Sequence, residues 1–392
     1  MKPNFMLLSV TRFAIALGLG GLLAGCGWFG AKDNIEPPSP LVNLVSGFQT
    51  PVLWQNNTGA KLKGNALKLR PAVHGNQLLI ATPAGEVESL NLDNGASLWR
   101  SRLKFDLTGG PGVSEDLVLV GGRKGDVVAL SLSDGSELWR VQVSSEVLSA
   151  PQAAHGIVIV RSVDGKLTAL SAKNGQRLWV YERQVPLLSL RGTSTPMIDG
   201  STVYAGFDSG YLSAVNLDDG KPLWETRLSQ PSGRSELERM VDIDADLAMF
   251  KGVLFITGFQ GRTVAFDVLK GEALWNKETS SYSGLAVDDQ AVYLSDSQGY
   301  VQAFDRYSGR VLWQQEKLQY RRLSAPALVG NYLVVGDFEG YLHWLRKEDG
   351  QFAARTETDK SGLRIAPIAT DKGLLVLTNQ GTLYLLQTPP PA

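Results

Sequence analysis

The 392-residue sequence has one cysteine, three histidines, no surplus of charge of either sign and no apolar run of bilayer length. Each scarcity removes a class of protein. Cys26 alone cannot build a disulfide framework, and His74, His155 and His343 lie too far apart in sequence to suggest a zinc-type cluster. With 38 Lys and Arg against 39 Asp and Glu, the net charge is −1, so no nucleic-acid-binding surface is expected. The run Phe13 to Leu23 spans 11 residues, where a membrane-crossing helix needs roughly 20. What the chain does have is glycine, 42 residues of it, with 9 tryptophans and 43% apolar residues. That composition describes a folded body rich in tight turns.

The first 25 residues read as a secretory signal, with Lys2 and Arg12 ahead of or within a short apolar stretch. They end in Leu23-Ala24-Gly25-Cys26, which resembles a bacterial lipobox. That resemblance implies cleavage before Cys26 and acylation of its thiol and amine. Several acyl chains, at about 0.8 kcal/mol per buried CH₂, make such an anchor effectively permanent. Gly27 follows the cysteine, not the Asp that typically retains such lipoproteins in the inner membrane. The analogy therefore places the mature protein in the outer membrane of a Gram-negative cell, lipid-anchored and facing the periplasm. Loss of residues 1–25 removes two cations and no acid, so the side-chain balance of −1 becomes −3. No cysteine is then left free, which suits an oxidising compartment. Residues 26–45, including Glu36-Pro37-Pro38-Ser39-Pro40, read as a flexible tether. Trp28 and Phe29 either rest in the membrane interface or are incidental tether residues.

Beyond the tether the sequence repeats. GEVESLNLDNGASLW, GDVVALSLSDGSELW, GKLTALSAKNGQRLW and GYLSAVNLDDGKPLW follow one another, then GRTVAFDVLKGEALW, GYVQAFDRYSGRVLW and GYLHWLRKEDGQFAA. Each of these seven copies opens on a glycine and has a second glycine ten residues later, from Gly85/Gly95 to Gly340/Gly350. In six of the seven a Trp stands four residues after the second glycine: Trp99, Trp139, Trp179, Trp224, Trp275 and Trp313. One copy contains a strand-forming run (Gln77 to Thr82), a Pro-Ala-Gly turn, an alternating strand, an Asp-Asn-Gly hairpin and another strand ending near Arg100. An upstream segment with Pro71 completes four antiparallel strands, and its proline recurs at 111, 151, 196, 326 and 367. Proline lacks the ladder N–H, so it belongs near the start of a terminal strand.

Four-stranded units of this period, marked by glycine and Trp, predict an all-β fold, a β-propeller. The tryptophans are expected to plug the seams between blades, each burying on the order of 200 Å². The eighth copy, from Pro367 through Gly381, lacks its outer strand, while Pro51-Val52-Leu53-Trp54-Gln55 resembles an outer strand with nothing before it. Pairing the two predicts an eight-bladed propeller over residues 46–388, its last blade completed by the N-terminal strand carrying Trp54.

The repeat is similar to the Trp-docking motif of quinoprotein dehydrogenases, which implies pyrroloquinoline quinone and calcium. Those enzymes need a catalytic Asp and calcium ligands, and many use a Cys-Cys pair that this chain lacks. A shared blade motif carries fold, not function. Gly121-Gly122-Arg123-Lys124-Gly125 superficially suggests a phosphate loop but reads better as a hairpin turn, and Asp242 with Asp244 has no nearby third ligand. The expectation is a protein without catalytic residues, bound metal or cofactor.

Lipobox, short tether and eight compact Trp-motif blades resemble, over essentially the whole chain, the BamB family of the outer-membrane β-barrel assembly machine. The most specific segments are Pro186-Leu187-Leu188-Ser189-Leu190-Arg191-Gly192, the stretch from Ser235 to Asp244, and Val334 through Trp344. In that family the first two carry the surface that docks the barrel subunit BamA through its POTRA domains. The resemblance thus implies Leu188, Leu190, Arg191, Asp242 and Asp244 as partner-binding residues. The alternative for the leucines is a place in the core of an inner strand. The spacing agrees with inserted loops: Trp179 to Trp224 is 45 residues and Trp224 to Trp275 is 51, against 40 for Trp99 to Trp139. Asp242 and Asp244 alternate with Val241 and Ile243, so a strand there would put both acids on one face. The implied function is a scaffold assisting the folding and insertion of β-barrel proteins, with a blade edge available to pair with extended clients. A lipid-anchored propeller of another envelope complex, or a quinoprotein enzyme, are the competing readings.

Overall fold

The computed structural model describes residues 36–61, 69–114, 116–186, 192–208, 210–228, 243–258 and 261–389. These form eight four-stranded sheets, all antiparallel, each packed on the next around a ring. Blades one to seven occupy 72–102, 107–142, 152–182, 197–227, 248–278, 285–315 and 327–357. Each is a meander whose four strands follow chain order. Blade eight takes three strands from 368–386 and its outer strand from Val52–Asn57, in the order that closes the ring. Val52 pairs with Leu386 and Asn57 with Thr382, so the two ends of the propeller share one ladder.

The local physics is the same in each copy. The recurring prolines stand immediately before the short first strands, as Pro71 does before Ala72–His74, where no ladder N–H is required. Pro111 is the exception, lying inside the strand Leu107–Ser114, whose pairing is broken by two irregularities. In the Gly121-to-Gly125 segment the first two glycines end the strand Leu117–Gly122, and Arg123 to Gly125 form the hairpin turn into Asp126–Ser131. Middle strands do not alternate in burial. In Glu86–Asn91 the polar Glu88 and Ser89 are as buried as Val87 and Leu90, because blades cover both faces. Arg100 satisfies the buried Glu88 at 2.8 Å. Outer strands keep the alternation, with the Trp inward and its preceding Leu half-exposed.

The tryptophans sit in the seams, and the glycines explain why they fit. Trp99 Nε1 donates to the Leu132 carbonyl of the next blade at 2.9 Å, and Trp139 does so to Ala172 at 2.8 Å. Trp54, Trp179, Trp275 and Trp313 repeat the bond to Leu92, Leu217, Arg306 and Lys347. Each of these indoles lies on the second glycine of the following copy: Gly95, Gly135, Gly175, Gly220, Gly309 and Gly350. A Cβ at any of them would come within 2.3 to 2.8 Å of the indole ring. Those glycines also hold φ between 67° and 72°, so both backbone and contact exclude a side chain. Trp224 departs from the rule: it packs against Phe266 with ring centroids 4.9 Å apart and planes tilted by 39°, and Gly271 has nothing within 4 Å of a Cβ.

Blade seven has no outer-strand Trp, and ring closure supplies the reason. A seam Trp docks on the hairpin between the third and fourth strands of the next blade. In blade eight that hairpin does not exist, because the two strands come from opposite ends of the chain. The large–small pair is inverted accordingly. Ala129 faces Trp139 and Ala303 faces Trp313, but in blade seven Trp344 faces Ala354. Trp344 is fully buried and turns its Nε1 to Thr356 Oγ1 of its own blade at 3.1 Å.

Candidate functional site

The two long connections meet on one side of the ring. The connection out of blade three begins on a fixed base: Arg183 Nη1 contacts Glu225 at 2.6 Å, with its guanidinium 3.9 Å above the Tyr211 ring. Partial burial alone would raise the Glu225 carboxyl; hydrogen bonds from the Tyr181 hydroxyl and Arg183 outweigh it and hold the group below the usual carboxylate range. Beneath, fully buried Arg161 of blade three lies 4.2 Å over the Phe207 ring of blade four and 3.5 Å from Asp208. The seam below the connection is thus tied by charge as well as by Trp179.

The exit of this connection is packed against the next one. A Cβ on Gly192 would stand 2.8 Å from the Asp244 carboxylate, so glycine is what permits the approach. The Thr195 N–H donates to Asp246 Oδ1 at 3.0 Å. Thr193, Ser194 and Asp244 are all buried. Ile243 drives into the core beside Leu247, Tyr204, Leu212 and Phe266, and Gly206 makes room for it, since a Cβ there would meet Ile243 at 2.4 Å. Among the described residues, the C-terminal ends of the two segments singled out in the sequence, Gly192 and Ile243–Asp244, are therefore neighbours in space.

Leu188, Leu190, Arg191, Asp242 and the lipidation residue Cys26 lie outside the described residues. Asp244 is described, and it corrects one expectation. The strand of this region begins only at Ala248, so Ile243 to Leu247 is irregular and no strand face presents Asp244. With 6% of its surface exposed, Asp244 is positioned to hold the Gly192 segment, not to meet solvent. Sequence reasoning missed Asp246 and Gly206 altogether, although the Ile-Asp-Ala-Asp run carries both acids within four residues.

A second buried polar cluster fills the connection between blades six and seven. Arg321, 2% exposed, reaches Asp337 at 2.7 Å and also pairs with Glu339. His343 Nε2 is 2.9 Å from the same Asp337 oxygen. Burial pushes the His343 imidazole down, and Arg355 and Arg321 add to this against the pull of Asp337. A neutral ring facing an ionised carboxylate donates through Nε2. Burial would raise the Asp337 carboxyl, but His343, the Tyr341 N–H and Arg321 hold it low. The Val334-to-Trp344 segment stood out in the sequence without a role; this is its content. Among the described residues no group of three or more His, Cys, Asp or Glu is arranged to hold a metal ion. The sequence has no Cys-Cys pair either, so the described residues offer neither feature of a quinone–calcium centre.

Fold and seams together define a Trp-docked, eight-bladed propeller. The solved structure of a quinohemoprotein alcohol dehydrogenase from Comamonas testosteroni shares that fold with a TM-score of 0.71, at 13% identity over 90% of this chain and 79% of its own. At that identity the likeness is one of fold alone. A family model described as outer membrane protein assembly factor BamB matches residues 83–315 and 298–388. The factor of that name from Pseudomonas aeruginosa is 43% identical over 95% of this chain and 97% of its own length; the one from Escherichia coli is 35% identical over 93% and 95%. The crystal structure of BamB from Moraxella catarrhalis matches with a TM-score of 0.80, at 27% identity, over 87% of this chain and all of that one. The chain belongs to the BamB family.

Proposed function

We propose that this protein is a non-catalytic scaffold of the outer-membrane β-barrel assembly machinery, held by acyl chains on Cys26 at the periplasmic side of the outer membrane. It docks BamA, through the POTRA domains, with the paired connections of blades three to five, and so assists folding and insertion of β-barrel proteins. The observation that carries this reading is the packing of Gly192–Thr195 against Asp244–Asp246, which ties two long connections together on a rigid ring. Family membership supports the assembly role.

The family resemblance assigns Leu188, Leu190, Arg191 and Asp242 as the partner-binding residues, and buried Asp244, against Gly192, holds the exit of the first connection. Interfaces concentrate their energy in such apolar and Arg anchors, at about 2 kcal/mol or more each. Capture of purified POTRA domains should fall at least tenfold with Arg191→Ala, with Leu188→Ala plus Leu190→Ala, and with Asp242→Ala plus Asp244→Ala. Circular dichroism should show folded propellers throughout. Undiminished capture by all three sinks the docking assignment, and loss of folding in the leucine variant would make those residues core. Intact mass without acyl chains would refute the anchor.

A further inference from the structure

The stretch preceding the closing strand is bound, not free. The Ser39 N–H donates to the Gln319 carbonyl at 2.9 Å, and the Ser39 carbonyl accepts from Arg321 Nη1 at 3.0 Å. Arg355 Nη1 donates to the Val42 carbonyl at 3.0 Å, and its backbone N–H donates to Ser46 Oγ at 3.2 Å. The Gly47 N–H reaches the Ala353 carbonyl at 2.8 Å, on the outer strand of blade seven. Phe48 then lies 4.9 Å from the Tyr332 ring and edge-on to Trp344 at 5.4 Å, against the seam where blade seven lacks its Trp. The compact unit containing the propeller accordingly begins at Pro38.

The seat is built to receive a peptide. A guanidinium has five N–H donors in a fixed fork. In Arg321 those turned to Asp337 and Glu339 are satisfied within the blade, while Nη1 meets the Ser39 carbonyl. A buried donor left without a partner is costly, so the cleft favours an occupied state. Tyr320 and Arg322, on either side of Arg321, hold φ at 58° and 49°, a region non-glycine residues seldom occupy. The backbone is bent unfavourably on both sides of the residue that grips Ser39.

We propose that residues 38–50 are a strap, and that its seat on blades six and seven fixes where the membrane tether leaves the ring. Eight blades in chain order put blade seven opposite blade three and blade eight opposite blade four. The tether therefore leaves at the connection between blades six and seven, across the ring from blade three. The stretch from Cys26 to Pro38, even fully extended, spans about 40 Å. Blade seven is held nearer the bilayer than blade three. The membrane half of this proposal rests on acylation of Cys26; the strap does not.

Two measurements on the full chain test it. Hydrogen exchange should find the Ser39 and Gly47 amides protected at least tenfold over an unstructured peptide. Ser39→Pro, which removes one strap donor and leaves the Arg321 cluster intact, should lower protection at Gly47 without changing it in Ile157–Ser162. Absence of protection in the wild type overturns the strap. For orientation, Lys173→Cys and Glu348→Cys place a fluorophore on equivalent exposed hairpins of blades three and seven. In acylated protein bound to phosphatidylcholine vesicles carrying a lipid-borne quencher, the label at 348 should be quenched at least twofold more than that at 173. Ser39→Pro should bring the ratio towards one. Equal quenching in the wild type, or stronger quenching at 173, overturns the orientation. If intact mass shows no acyl chain, the anchor reading has failed and exchange at Ser39 and Gly47 still decides the strap.

Discussion

The seam between blades two and three and the junction between blades seven and eight accomplish the same thing by different means. At the first, Trp139 lies on Gly175 and bonds to Ala172, a contact between residues about one repeat apart. At the second, the chain has no hairpin to receive a Trp, so Trp344 and Ala354 exchange sizes and Phe48 arrives from the N-terminal segment. The difference teaches that the repeat signature tracks a receptor, not a blade. A Trp is present where the next copy offers a glycine turn, and absent where the chain ends remove it.

The most severe way to break the comparison is to delete residues 46–56. That removes Phe48 and most of the closing strand together and leaves the edge of Thr382–Leu386 unpaired. The expected outcome is loss of a single cooperative melt and concentration-dependent aggregation; an unchanged melting temperature would show that closure contributes little. Next, Trp139→Ala should cost about 3–5 kcal/mol in urea unfolding. Trp224→Ala should cost about 1 kcal/mol less, because Trp224 lacks the glycine seat that Trp139 has. Equal losses would mean the seat adds nothing. Ala354→Trp restores the repeat consensus, yet it should destabilise by about 1–3 kcal/mol, since Trp344 already fills that space. A gain in stability would refute the receptor argument.

The smallest effect is on pH dependence. His343 and Asp337 both titrate lower in the folded protein than their ordinary ranges. Each therefore contributes stability that is full above its unfolded pKa and is lost as pH falls through the folded one. For His343 the decline begins below about pH 6.5, and for Asp337 below about pH 4. The wild-type melting temperature should fall from pH 7 to pH 5 more steeply than that of His343→Gln. Parallel curves would remove His343 from the account.

Much of this was legible in the sequence, because each repeat carries its own turn and seam chemistry. Ten-residue glycine spacing and the orphan strand at Trp54 specify the blades and their closure. The candidate site was legible only as two long intervals between tryptophans. Its internal contacts join residues some fifty positions apart, such as Thr195 with Asp246, and no periodicity announces them. The alternation around Asp244 misled for a related reason: Ile243 is an anchor into the core from an irregular segment, so its neighbours follow packing and not a strand pleat. The tether boundary misled too. Proline-rich sequence reads as unattached, yet Ser39 and Val42 bind through backbone atoms, which any residue supplies.

The shared ladder of blade eight also orders events in time. Val52 meets Leu386 across more than three hundred residues, the most distant pairing in the sheets. Seven blades can form as they emerge, since each needs only its own strands. The ring must wait for Thr382–Leu386, and the closing strand stays single until they arrive. Contacts of such sequence separation form late and slowly. Closure of this propeller is therefore gated by its last strand, and for that interval the unpaired Val52–Asn57 strand is a liability to misassociation.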